Sequence, residues 1–232
     1  MITILIPTFE EKNNLKRAVD ELNNVLKNYN FNILFVDDDS RDGSKEVLEK
    51  LKIKHSNVDF LIRKSDKKDL TESFKLGISI INSKYTCVID CDLQHDIGKI
   101  PKMIEILMTD KFQIVLGSRF SNKDQNINVD MPKHRILLSK MGIFLSKLLR
   151  IGNINDPLSG FFAFKTEIVK KINQDIKTKG FKVLLTILFI LRKEINVFEI
   201  EAKFKRRYYG NSKLNFNNKL LFIKQILYLL FF

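Results

Sequence analysis

The chain has 232 residues, and its 44% hydrophobic content is ample for the core of one large α/β domain. Only four prolines and nine glycines, with no proline-rich or Ser/Gly-rich tract, exclude an obvious linker. The formal net charge of +13 suits nucleic acid, an anionic membrane or phosphate-bearing substrates, although a lysine-rich compositional drift accounts for it equally well.

The first half of the chain alternates between strand and helix patterns. An unbroken apolar run at 2–6 predicts a buried parallel strand, and Pro7 ends it too early for a signal peptide. Further strands are predicted at 32–36, 58–62, 85–90 and 112–117, and helices at 11–28, 43–52, 69–82 and 98–108. This alternation predicts a doubly wound, mostly parallel sheet, in which ligands bind beyond the carboxyl ends of the strands.

The second half has a different pattern. Residues 134–150 predict an amphipathic helix whose polar positions fall close to one stripe: Ser139, Lys140, Ser146, Lys147 and Arg150. Residues 181–191 are apolar on nearly all sides, which predicts a buried helix. A last strand is predicted at 195–200, before a basic loop and an apolar tail.

Two acidic residues, Asp90 and Asp92, close the strand at 85–90. Residues i and i+2 of a strand point the same way, so both carboxylates can converge on one point, where they repel unless a cation lies between them. Oxygen ligands of this kind suit Mg²⁺ or Mn²⁺, and Gln94 could add a neutral oxygen. The alternative is a solvated turn, and the D-x-D pattern alone does not decide between them.

The two cysteines, Cys87 and Cys91, lie in the same stretch. Residues four apart in an extended strand are roughly 13 Å apart, too far for a disulfide. Two cysteines also make no zinc site, and reduced thiols suit the cytoplasm.

Eight segments follow one another along the chain: ILIPTFEE (4–11), LFVDDDSRDGS (34–44), VIDCDLQH (88–95), IVLGSRF (114–120), HRILLSK (134–140), DPLSGFFAF (156–164), GFKVLLTIL (180–188) and RRYYGNSKL (206–214). Together they resemble the inverting family 2 glycosyltransferases, which have the GT-A fold. Within that family the chain most resembles the polyprenyl-phosphate mannosyltransferases, that is, the dolichol-phosphate mannose synthases. The resemblance covers residues 2–215.

The resemblance implies where a nucleotide sugar binds. Pro7, Phe9 and Glu11 match the strand end that holds the nucleotide, with Phe9 near the base and ribose. Val36 and Asp38 match the segment that meets the base, where an acidic side chain suits the donors of guanine. GDP-mannose is therefore the favoured donor.

The resemblance also implies a metal cofactor, Mg²⁺ or Mn²⁺. Asp90, Asp92 and Gln94 match its ligands, and Cys91 replaces the usual alanine among the nucleotide-sugar contacts. The cationic residues that match the loop over the diphosphate are Arg207 and Lys213.

For the acceptor, a polyprenyl phosphate, the resemblance implies a set of phosphate-binding residues. Arg119 matches an arginine that also reaches the nucleotide sugar, and Arg135 with Ser139 matches the lipid-phosphate site. With Asp92 they form the implied catalytic set. A phosphate monoester has a second pKa near ~6, so the acceptor is already mostly a dianion at neutral pH. We therefore expect inversion at the anomeric carbon without a dedicated catalytic base.

The chain is divided into a catalytic domain, residues 1–215, and a C-terminal membrane-interface helix, residues 216–232. The apolar tail is shorter than the about 20 residues that a membrane span needs, so it is predicted to lie in the interface, like the helix at 136–150. A core helix packed on the domain is the alternative. We expect the cytoplasmic face of a membrane, with peripheral or interfacial anchoring. Many relatives carry further transmembrane helices, so a small membrane-anchoring subunit and an incomplete chain both stay open.

Several residues also fit structural roles. Arg119 could form an ion pair, and Arg135 with Ser139 could be the polar face of a helix. Turn or loop roles are assigned to Asp37, Asp39, His95, Asp156 and Ser159.

The chain departs from the family pattern at three places: the HDIG run at 95–98, Asp69 in place of a glycine, and Thr186 in place of an acid. These departures leave UDP-glucose or UDP-N-acetylglucosamine donors and a non-lipid glycan acceptor open. A catalytically inactive scaffold also stays open. A non-catalytic nucleotide-binding or nucleic-acid-binding module, using the basic patch at 202–213, leaves Asp90 and Asp92 unexplained, so we expect no nucleic-acid partner.

Overall fold

The computed structural model describes residues 1–120, 133–207, 209 and 216–231, with side chains from Ser139 onward in the fifth helix and from Leu220 onward in the last. The strands are β1 Ile2–Thr8, β2 Phe31–Asp37, β3 Val58–Ile62, β4 Tyr85–Val88, β5 Ile114–Ser118, β6 Phe162–Lys165 and β7 Val197–Glu201. The helices are α1 Lys12–Val25, α2 Ser44–Lys54, α3 Leu70–Ile80, α4 Ile100–Met108, α5 Lys133–Lys147, α6 Thr166–Lys171, α7 Val183–Leu191 and α8 Phe216–Phe231.

The strands form one sheet in the order β3-β2-β1-β4-β6-β5-β7. Neighbouring strands are parallel except at β6, which runs antiparallel to both β4 and β5. The mostly parallel α/β architecture predicted from the alternating pattern is therefore confirmed.

The sequence pattern did not predict β6 or α6. Strand β6 is only four residues long and three of them are buried, so it shows none of the two-residue alternation that marks a half-exposed strand. Because it is antiparallel, its first residue lies at the edge where β4 ends: Phe162 pairs with Val88. This brings the loop before β6 beside the residues that follow β4.

Helices cover both faces of the sheet. One core cluster joins the sheet to α1, α2 and α4, and the other joins it to α3, α5, α6, α7 and α8. Strand β1 contributes side chains to both clusters, since Ile4 lies in the first cluster and Leu5 in the second. The nearly continuous apolar sequence of β1 follows from this burial on both sides.

Helix α5 keeps most of its predicted polar stripe: Lys140 and Lys147 are exposed and Ser139 is half-buried. Ser146 is instead fully buried and its hydroxyl donates to the carbonyl of Ile143, whereas Met141 and Phe144 of this helix, and Leu148 directly after it, are exposed. The predicted stripe is therefore interrupted at Ser146, which faces the domain.

Helix α7 is buried on nearly all sides, as predicted. Helix α8 instead turns its only described amide inward: Gln225 is buried, and the exposed apolar side chains are Leu220, Ile223, Leu227, Leu230 and Phe231. These side chains, together with Met141, Phe144 and Leu148, make up what we call the outer apolar surface. In the described parts of the chain, no helix is both long enough and apolar enough to cross a membrane.

Candidate active site

The site is built on the end of β4. The amide of Ile89 still bonds to the carbonyl of Leu5 in β1, and Asp90 is the first residue beyond this pairing. The Asp90 side chain is 47% exposed, whereas Asp92 is 5% exposed. These two carboxylates, the acidic tip, lie at the carboxyl edge of the parallel strands, where the sequence placed them.

His95 contacts the acidic tip through Asp90. Its Nε2 lies 3.0 Å from Oδ2 of Asp90, and its ring stacks on Phe161 at 5.4 Å between centroids and meets the edge of Phe204. Burial alone would raise the pKa of Asp90, but the hydrogen bond with His95 and the charges of His95, Lys182 and Arg207 lower it. Asp90 is therefore kept ionised, and His95 has the loop-holding role predicted for it.

Residues 202–207, the basic segment, lie against the acidic tip. The amide of Lys205 donates to the carbonyl of Gln94, and the Gln94 side-chain amide donates to the carbonyl of Lys205. These paired bonds place Nη2 of Arg207 2.6 Å from Oδ2 of Asp92. Burial and then the charge of Asp90 raise the pKa of Asp92, against the opposing charge of Arg207.

The acidic tip has the chemistry of a site for a hard divalent cation. Two carboxylates lie together, the main-chain amide of Gln94 donates to Oδ1 of Asp92 at 3.1 Å, and a Cβ added at Gly160 would lie 2.8 Å from Oδ2 of Asp90. Within the described residues, no three His, Cys, Asp or Glu side chains are arranged to hold a metal ion. A cation here would thus take further ligands from substrate phosphates, as Mg²⁺ commonly does.

A cleft opens beside Asp90. Its walls are mainly apolar and come from the end of β1, from α3, from the start of β6 and from the start of α7; they include Pro7, Phe74, Phe162 and Val183. Pro7, predicted to contact the nucleotide sugar, therefore lies in the same cleft as Asp90.

The other predicted nucleotide contacts lie around the ends of β1 and β2. The carboxylate of Glu11 accepts from the Asn14 amide at 2.6 Å, and the Lys68 ammonium lies 5.9 Å from the centre of the Phe9 ring. Val36 is fully buried under α3, so only its main chain could meet a base. Their assignment to a nucleotide stays a prediction.

Asp38 has two partners that the sequence did not reveal. It forms an ion pair with Arg63, and its Oδ2 accepts from the amide of Asp69 at 2.5 Å. Burial raises the pKa of Asp38 against the opposing charge of Arg63. Arg63 directly follows β3, and the rule that ligands gather at strand ends was the signal that could have identified it. The neighbouring Asp37 accepts from the hydroxyl and amide of Ser40, which fits its predicted turn role.

Arg119 is held by Asp156. Its Nε and Nη2 donate to the two carboxylate oxygens at 2.7 and 2.8 Å, and Asp156 is fully buried. Despite burial, which lowers it, the pKa of Arg119 is raised by Asp156. The turn role predicted for Asp156 fits the bond from the Ser159 amide to its carbonyl, and the ion pair with Arg119 is an additional role that was not predicted. The Ser159 hydroxyl donates to the carbonyl of Gly117. Two donors of Arg119 are engaged, and its contact with a substrate phosphate stays a prediction.

The remaining predicted residues are placed only in part. Arg135 and Ser139 both lie in α5, and Ser139 is half-buried, but the side chain of Arg135 lies outside the described part. Lys213 lies wholly outside the described residues. Of the predicted site, the structure therefore unites Asp90, Asp92, Gln94 and Arg207.

Residues 3–173 match a family model described as glycosyl transferase family 2. The chain belongs to this family. It is 34% identical to a dolichol-phosphate mannosyltransferase of Pyrococcus furiosus over 92% of this chain and 59% of that protein. It is 28% identical to a dolichol-phosphate mannosyltransferase of Saccharomyces cerevisiae over 97% of this chain and 85% of that protein.

Solved structures confirm the fold of this family 2 chain. Glucosyl-3-phosphoglycerate synthase from Mycobacterium tuberculosis, in complex with UDP, superposes with a TM-score of 0.67 at 15% identity, covering 99% of this chain and 78% of that one. The same enzyme with Mn²⁺, UDP and glucosyl-3-phosphoglycerate gives a TM-score of 0.68 at 15% identity and the same coverage. The family 2 chain therefore has the GT-A fold that its sequence motifs imply.

Proposed function

We propose that the chain transfers mannose from GDP-mannose to a polyprenyl phosphate of the dolichyl type, with inversion at the anomeric carbon. The observation that supports this most is the acidic tip lying against Arg207. It occurs in a chain similar over 92% and 97% of its length to two dolichol-phosphate mannosyltransferases. The chain spans 59% of the archaeal relative, so the activity of that whole protein is extended to this chain as a proposal.

The diphosphate of the donor would bind between the acidic tip and the basic segment. Mg²⁺ or Mn²⁺, held by Asp90, Asp92 and Gln94, would neutralise negative charge on the leaving diphosphate. Arg207, 2.6 Å from Asp92, would add positive charge beside the leaving diphosphate. We expect this ion pair to open when the donor binds, so that Arg207, together with Lys213, turns to the phosphate oxygens.

The acceptor needs positioning more than activation. An oxygen of the lipid phosphate would form the new bond to the anomeric carbon while the bond from that carbon to the diphosphate breaks. Because the phosphate monoester is already mostly ionised at neutral pH, no proton has to be removed from it. Arg119, Arg135 and Ser139 would hold it in line, which is the part of the barrier that orientation can lower.

The experiment that tests this function offers the purified protein three radiolabelled donors in turn: GDP-mannose, UDP-glucose and UDP-N-acetylglucosamine. Each is incubated with MnCl₂ and a polyprenyl phosphate, and the label that enters butanol is counted. We expect label from GDP-mannose only, lost when a chelator is added. Label from a UDP-sugar would correct the donor, and no lipid-linked label from any of the three would contradict the proposal.

We further propose that the outer apolar surface rests on an anionic membrane and that residues 216–232 serve as its interface helix. A folded domain in water normally buries such side chains, yet α8 exposes its apolar residues and buries Gln225. Lys140, Lys147 and Lys224 are exposed on the same two helices, where they would meet anionic lipid. A cytoplasmic location and a small anchoring subunit stay predictions.

The membrane proposal predicts a loss of vesicle binding when the outer apolar surface becomes polar. Changing Ile223 and Leu227 to glutamine removes two side chains that are each about half exposed. At about 1 kcal/mol for each partly inserted side chain, binding should weaken by roughly thirtyfold. The matched control is Ile53→Gln, since Ile53 is 87% exposed on α2, across the sheet. Flotation with vesicles of neutral and anionic lipid measures both, and equal binding by the two variants would contradict the surface.

A further inference from the structure

The starts of α3 and α7 border the same cleft. Leu70 and Thr71, at the start of α3, line it beside Asp90. Three further lining residues lie at or just before the start of α7, and we call them the α7 wall: Phe181, Val183 and Leu184. A displacement of the α7 wall would therefore change the space beside Asp90 in which a substrate group can lie.

The residue before the α7 wall, Gly180, is bound to the start of α3 through both of its main-chain polar groups. Its amide donates to both carboxylate oxygens of Asp69 at 3.1 Å. Its carbonyl accepts from the hydroxyl of Thr71 at 2.9 Å and from the amide of Thr71 at 3.0 Å. Asp69 replaces a glycine of the family pattern, and a glycine has no side chain to make this contact. The contact joins two segments that are 111 residues apart in the chain.

The contact acts at a turn that depends on glycine. Gly180 has a φ of 113°, a conformation that residues with a side chain rarely adopt. Gly180 is also buried, and a buried amide without a hydrogen-bond partner is costly. We therefore expect the turn, and with it Phe181, to move if Asp69 no longer accepts from the amide of Gly180.

Asp69 has two further contacts, which do not depend on Gly180. Its own main-chain amide donates to Oδ2 of Asp38, the residue predicted to meet the base, at 2.5 Å. Its Oδ1 accepts from the amides of Thr71 and Glu72 at 2.9 and 3.3 Å, which caps the N-terminus of α3. The carboxylate therefore connects α3 to the α7 wall, while the main chain of the same residue connects α3 to the end of β2.

We propose that Asp69 is a positioning residue for sugar transfer: through Gly180 it holds the α7 wall beside Asp90, where the transferred sugar would lie. The inference rests on the proposed function, in which the diphosphate lies between the acidic tip and the basic segment. The sugar is attached to that diphosphate, so the cleft beside Asp90 is the space next to it. Because the rate of a reaction depends steeply on how the reacting groups are placed, a shift of the α7 wall should slow transfer.

The test uses Asp69→Ser. Serine is a good helix cap, and the variant keeps the main-chain bond to Asp38, but its side chain is too short to bind Gly180 as well. The turnover number for mannose transfer is measured at saturating substrates, and binding of GDP, which lacks the sugar, is measured with Mn²⁺ by calorimetry. We expect the turnover number to fall by roughly five- to twentyfold, while GDP binding stays within about twofold of the wild type.

Two further variants and a second measurement separate positioning from folding. Asp66→Ser makes the same change at an exposed residue of the loop before α3, and it should behave like the wild type. Asp69→Asn keeps the length of the side chain and one acceptor oxygen, so its turnover number should lie between those of Asp69→Ser and the wild type. In hydrogen exchange, the amides of residues 180–185 should exchange faster in Asp69→Ser, and those of α1 should not change.

Several outcomes would overturn the inference, and they differ from a failure of the proposed function. Unchanged exchange at residues 180–185 would show that Asp69 does not hold the α7 wall. Faster exchange there with an unchanged turnover number would show that the position of the wall does not affect transfer. If the turnover number and GDP binding fell by the same factor, Asp69 would act on the nucleotide or on the whole fold. If the wild type itself transferred no label, the proposed function would fail and the inference would fall with it.

Discussion

Asp92→Ala should abolish sugar transfer. We expect turnover of GDP-mannose to fall by about a thousandfold, the scale on which groups that stabilise a developing charge act. Asp92 is 5% exposed and pairs with Arg207, and within the described residues the acidic tip has one other carboxylate, Asp90. Transfer of label to polyprenyl phosphate measures the loss, and binding of Mn²⁺ followed by electron paramagnetic resonance should disappear with it.

The same variant should not unfold the protein. Burial and the charge of Asp90 raise the pKa of Asp92, so its ionised form is less stable in the folded chain than in the unfolded chain at neutral pH. Removing it should therefore leave the melting temperature unchanged or raise it. The control is Glu105→Ala, an acidic residue of an exposed pair on α4, which should keep full activity. If Asp92→Ala retained a tenth of the wild-type activity, the acidic tip would not be the catalytic centre.

Asp156→Ala should have the largest effect on stability. It removes the carboxylate that accepts both side-chain bonds of Arg119, at 2.7 and 2.8 Å, and the Arg119 amide at 3.1 Å. Asp156 is fully buried, and breaking a buried pair from one side leaves an uncompensated charge. Such changes cost about 3–5 kcal/mol, which urea denaturation would report as a lower midpoint at an unchanged slope.

The matched control for Asp156 is Asp59→Ala. Asp59 forms a pair of similar length, 2.6 Å, with Lys52, but both side chains are more than half exposed. Exposed pairs contribute about 0–1 kcal/mol, so this variant should unfold almost like the wild type. If Asp156→Ala lost no more stability than the control, Arg119 would have found a replacement partner. A bound phosphate could act as such a partner for the predicted substrate-binding arginine.

The site residues that lie at the ends of strands were predictable from the sequence. Asp90, Asp92 and Gln94 lie two residues apart at the close of an apolar run, and in a parallel sheet such ends share one edge. The partners of these residues were not predictable from spacing. Gln94 and Lys205 are separated by 111 residues, and Arg119 and Asp156 by 37. These residues meet in the folded chain because β6 runs antiparallel between β4 and β5, and β7 runs parallel to β5.

Apart from β6 and α6, the sequence alone determined the order of the elements, and it also determined the mostly parallel sheet and the position of the acidic tip, because the hydrophobic period of each segment is a local property. Only the tertiary structure decided which side of α5 and α8 is covered. Ser146 and Gln225 are buried while Phe144 and Leu227 are exposed, the reverse of what their polarity suggests. A period shows which residues share a side of a helix, but neighbouring elements decide whether that side faces the core or the solvent.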